Sequence, residues 1–176
     1  GAECDNAAPS GGSRDLSVTS TAWAGAGTFT YGTSTLVMAK SGTQTIRYPS
    51  GQFFYNLQIN AGSTTTLNWF SGTLNLSGDL VTVGDGVFQS ADQEHVYFRN
   101  AGKTVAVGTP ATGIAGIDKF VTALSGTLAF PACTIKTLDV HSSGDTVQAN
   151  GDMTFTTELE VDSGTTFNAN GNTIAA

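Results

Sequence analysis

A chain of 176 residues is long enough for one domain with a real core, and a formal charge of −7 with only 7 Lys plus Arg leaves no basic cluster for nucleic-acid phosphates. Charged residues are 12% and hydrophobic residues 39%, spread at regular intervals, which excludes general disorder; no apolar run reaches transmembrane length, so membrane insertion is not expected. With 22 Gly and abundant Thr and Ser, the composition favours strands and tight turns over helices.

Residues 1–24 read as an N-terminal linker or cap, with Leu16, Val18 and Trp23 available to cover one end of the repeat region. Cys4 and Cys133 could pair in an oxidising compartment; neither stands in a zinc-ligand spacing. From residue 25 to 176 short segments repeat. A first strand reads "LVM" (36–38), "LQI" (57–59), "LVTV" (80–83), "VAV" (105–107), "LDV" (138–140) and "LEV" (159–161). Turns such as "AKSG", "NAGS", "GDG", "HSSG" and "DSG" come next, where Gly tolerates positive φ and Asn, Asp and Ser bond back to nearby backbone.

A second strand reads "TIRY" (45–48), "TLNW" (66–69), "VFQS" (87–90), "TVQA" (146–149) and "TFNA" (166–169). A third reads "TFT" (28–30), "FFY" (53–55), "TLNL" (73–76), "HVYF" (95–98), "TLAF" (127–130), "MTF" (153–155) and "NTI" (172–174). Three short strands per rung and about 22 residues per rung predict an all-β fold, a right-handed single-chain parallel β-helix (β-solenoid) of roughly six rungs. Alternation sets the faces: Ile46, Leu67, Phe88, Val147 and Phe167 point in, while Thr45, Thr66, Val87, Thr146 and Thr166 point out. The first strand repeats at steps of 21 to 25 residues except for one of 33, between 105 and 138. The intervening "GTPATGIAGIDKFVTALSG" (108–126) reads as an insertion, a loop or short helix on one rung.

The stretch "GTFTYGTSTLVMAKSGTQTIRYPSGQFFYNLQINAGSTTTLNWFSGTLNLSGDLVTV" (27–83) resembles the Gly/Thr/Asn-rich β-helix segments of phage structural proteins and bacterial surface proteins, a likeness of repeat style over most of residues 25–176. The resemblance implies a fibre, decoration or adhesin: a structural or adhesive module, non-catalytic, at a virion or cell surface. Its partners would be other structural proteins or surface glycans, and open solenoid ends would allow homo-oligomers.

Two groups of residues could bind a ligand. Glu158, Glu160 and Asp162 alternate with Leu159 and Val161 and share the outward face; Asp139 should stack beside Glu160 and His141 beside Asp162. Stacked carboxylates suit Ca²⁺ or an acid/base pair. Pectate-lyase-like β-helices carry acidic residues on such a face, but a lyase also needs a nearby Lys or Arg, and none is evident here. The simpler reading is a solvated strip with a His–Asp pair. Tyr55, in "FFY", could stack on a sugar ring. Asp139, Glu160, Asp162 and Tyr55 are thus the candidate ligand-binding residues, with no catalytic residue and no dedicated metal centre assigned. No cofactor is expected, Ca²⁺ apart. A carbohydrate-binding or polysaccharide-cleaving β-helix is the alternative function, and a Thr-rank ice-binding solenoid a minor one. "NLS" (75–77) fits a glycosylation sequon, and neither a GxSxG elbow nor a phosphate loop is present.

Overall fold

Alternating apolar residues, broken by Gly, Asn, Asp or Ser every few positions, leave segments too short for helices and well suited to strands that share their apolar face with the next turn. The computed structural model describes residues 16–19, 22–24, 32–47, 52–68 and 72–176; there the strands pair in parallel, no helix forms, and the chain winds into a β-solenoid of about six turns. Each turn has three faces.

The first face stacks Leu16–Val18, Thr35–Met38, Asn56–Ile59, Leu80–Thr82 and Val105–Ala106. A bridge from Thr104 to Ala129 carries it on to Thr127–Phe130, Thr146–Ala149 and Thr166–Asn168. The second face stacks Ala22–Ala24, Gly42–Arg47, Ser63–Leu67 and Val87–Ser90. It continues through 113–116, whose carbonyls at Gly113 and Gly116 accept the amides of Phe88 and Ser90.

The third face stacks Gln52–Phe54, Thr73–Leu76, His95–Phe98 and Lys119–Thr122. Beyond it, Cys133–Val140 and Met153–Val161 each turn a corner, serving the second face with their first residues and the third with their last. A register shift between Ile135 and Thr137 marks that corner.

The core is made of columns. Leu36, Leu57, Leu80 and Val105 succeed one another on the first face, and Leu74, Val96, Phe120, Leu138 and Leu159 on the third. Phe98, Phe120 and Phe130 meet in the middle with ring centroids 5.9 to 6.1 Å apart. Each fully buried Leu or Phe contributes about 1.5–3 kcal/mol of transfer free energy. Side chains also tie the corners. Asn56 Oδ1 accepts the Asp79 amide, and Asp79 Oδ1 accepts the Thr104 amide, each at 2.8 Å. One rung thereby satisfies the exposed N–H of the next.

The structure departs from the sequence-based expectation after residue 107. Residues 108–126 form no helix: a run of tight turns over 110–117 closes the second face, and Lys119–Thr122 is a third-face strand, with Ile114, Ile117 and Phe120 in the core. Consequently "LDV" and "LEV" stand on the third face, not the first, and "TVQA" and "TFNA" on the first, not the second. Thr45 and Thr66 are neighbours, as are Thr146 and Thr166, but on different faces, so the four form no single rank. The inward set holds: Ile46, Leu67, Phe88 and Val147 are buried, and Phe167 is partly so. Leu16–Val18 and Ala22–Ala24 join the stack as strands of the first and second faces. Among the described residues Cys133 has no disulfide partner; it is buried, and burial pushes its pKa up to about 12. Cys4, residues 28–30, Tyr48 and Trp69 lie outside the described residues.

Candidate functional site

Strand alternation on the third face sends Phe120, Thr122, Leu138 and Val140 inward, and therefore His95, Lys119, Asp139 and Glu160 outward. Parallel stacking puts these outward positions one rung apart, about 4.8 Å. The expected neighbours meet: Asp139 is in register with Glu160, and His141 Nδ1 lies 3.0 Å from Asp162 Oδ2.

Between the two carboxylates stands a cation that sequence reasoning misses. Lys119 Nζ donates to Asp139 Oδ2 at 3.1 Å and to Glu160 Oε2 at 3.2 Å, so one ammonium spans three rungs. The ionic chain continues toward the earlier rungs, where Lys136 Nζ pairs with Asp118, and His95 Nε2 lies 3.7 Å from Asp118 Oδ2. Lys119 is easily overlooked because it sits in the segment whose spacing suggests an insertion. The pattern of "KFVT" (119–122), apolar at Phe120 and paired in register with "HVYF", is the available signal.

Asp139 is the most enclosed member, only 8% exposed although it points away from the core. Its Oδ1 is fully buried and has no hydrogen-bond partner. Asp162, Glu160 and His141 are all more open to solvent, His141 the most.

Partial burial alone would lower the Lys119 pKa, but the hydrogen bonds it donates to Asp139 and Glu160 outweigh burial and hold the ammonium above its ordinary value. A lysine held this way stays charged and makes a poor proton acceptor. Burial holds the His95 imidazole below its ordinary value, against the opposing pull of the Asp118 carboxylate.

Tyr55 is not part of this cluster. It sits at the corner between Gln52–Phe54 and Asn56–Ile59, several rungs away, half-buried. Lys103 Nζ lies 5.0 Å from its ring centre and donates to its hydroxyl at 3.0 Å, so the ring already has a cation partner within the chain. Phe53 is the exposed neighbour, at 40%, and its outward column runs through Asn75, Tyr97, Val121, Asp139 and Glu160. Asn75 of the sequon is buried, and its Oδ1 accepts from Arg99 Nε at 2.6 Å, so its amide is not presented to solvent.

No protein-family model matches the chain, and no curated protein or solved structure is significantly similar to it.

Proposed function

We propose that the chain is a non-catalytic structural or adhesive module, serving as a fibre, decoration or surface protein of a virion or cell. The observation that supports this reading is the pairing of Lys119 with both Asp139 and Glu160. The basic residue that a polysaccharide lyase needs beside its acidic face is present, but both carboxylates hold it charged, which makes it a poor proton acceptor. The paired charges tie successive turns together, which is what a load-carrying rod needs. Partners would be other structural proteins or surface glycans, outside the cell.

The test is a broad polysaccharide array, read with and without Ca²⁺, then product analysis of any bound glycan. The expectation is that any glycan bound is released at its original length. Shortened products that vanish in Asp139→Asn would overturn the reading in favour of a polysaccharide-cleaving enzyme.

One observation favours a more specific role, carbohydrate binding. Exposed Phe53 shares its outward column with Tyr97, Asp139 and Glu160, an aromatic end and an acidic end on one face. Aromatic faces stack on sugar rings, and carboxylates accept from sugar hydroxyls. Loss of array binding in Phe53→Ala would support this role, and unchanged binding would count against it.

A further inference from the structure

We propose that Asp139, His141 and Asp162 bind one divalent first-row transition-metal ion, such as Zn²⁺, that joins two successive turns. Two independent observations carry this. The first is geometric: Asp139 and His141 come from one turn and Asp162 from the next, and one donor atom from each lies within 4.8 Å of the other two. His141 Nδ1 is 3.0 Å from Asp162 Oδ2 and 3.7 Å from Asp139 Oδ1. Ligand atoms around a tetrahedral zinc with bonds near 2.0–2.2 Å stand about 3.3–3.6 Å apart, between these two values.

The second observation is Asp139 Oδ1 itself. It is fully buried, belongs to a residue only 8% exposed, and accepts no hydrogen bond. Leaving a charged oxygen in that state is costly. The carboxylate has little freedom to turn away, because Lys119 holds its other oxygen. Such an outer partner orients a metal-ligating carboxylate. An ion between Oδ1, the imidazole and Asp162 would satisfy the orphaned oxygen.

The donor set selects the class of ion. One imidazole nitrogen with two carboxylates suits zinc and its neighbours, whereas Ca²⁺ takes six to eight oxygens. Calcium, expected from the stacked carboxylates alone, is therefore the poorer occupant. On binding, the ion takes the Nδ1 lone pair, and any proton shared between Nδ1 and Asp162 leaves to solvent. His141 and Asp162 are open enough for water or a ligand from a partner to complete the shell.

The experiment is calorimetric titration of the whole chain with Zn²⁺ and, separately, Ca²⁺, alongside His141→Gln and His95→Gln. The chain has only these two histidines. The expected result is one zinc per chain, weakened about tenfold or more in His141→Gln and unchanged in His95→Gln, with calcium far weaker. His141 is largely exposed, so its variant should fold, and a melting curve checks this. Zinc should also raise the melting temperature of the parent and not that of His141→Gln. Absence of zinc binding, zinc binding that survives His141→Gln, or equal binding of calcium would each overturn the proposal. None of these outcomes bears on whether the module cleaves glycans.

Discussion

Single side chains differ in what they contribute according to where the stack places them. Phe88 is fully buried between rungs, and Phe88→Ala should cost about 3–5 kcal/mol in denaturant unfolding. Phe167, equally inward in the sequence pattern, is only partly covered, so Phe167→Ala should cost clearly less. Equal costs would mean that the last rungs are more enclosed than the structure shows. The charged side chains give a pH signature. Because folding lowers the His95 pKa, the unfolded chain takes up a proton that the folded chain resists. Stability should therefore fall as pH drops below about 6.5, and His95→Gln should remove part of that slope. Urea midpoints at about pH 7 and about pH 5 would show it. Lys119 acts at the other end: its raised value means that its contribution is complete below the ordinary lysine range and lost as pH rises through the folded value.

At the level of strands and turns, close approach between rungs sets which residues fit. A Cβ at Gly108 would come within 2.1 Å of the Gly84 carbonyl oxygen, on the backbone of the preceding turn. Gly108→Ala should therefore lower the melting temperature markedly, and an unchanged melting temperature would contradict the stacking there. The same scale explains what is legible in the sequence. Alternation reports the inward side correctly at Ile46, Leu67, Phe88, Val147 and Ala149, because a buried face tolerates no one-residue slip. Which of the three faces a strand joins is not legible past residue 107. Turns with a positive-φ glycine occur at more than one corner: Gly42, Gly62 and Gly84 lie between the first and second faces, and Gly144 and Gly164 between the third and first. A strand–turn–strand unit such as "LDVHSSGDTVQA" therefore looks the same at either corner. The acidic neighbours are legible all the same, because Asp139 and Glu160 sit on the third face together and keep their mutual register. Lys119 is not, since its strand lies in the segment whose sequence reads as an insertion.

Across the whole molecule, about six turns at 4.8 Å make a rod roughly 30 Å long, with a strip of paired charges at one end of the third face. Among the described residues, the third-face end of Met153–Val161 pairs on one side only, and it carries Glu158 and Glu160. Charges on such a strand oppose edge-to-edge aggregation. In the function proposed, the strip is a tie between turns and not a catalytic centre. The sharpest test is equilibrium unfolding of Lys119→Met against the parent chain at neutral pH. Removing the ammonium leaves Asp139 enclosed with an unmatched charge, and the variant should lose about 1–3 kcal/mol. Stability equal to that of the parent would contradict the tie, since Lys119 would then hold nothing together.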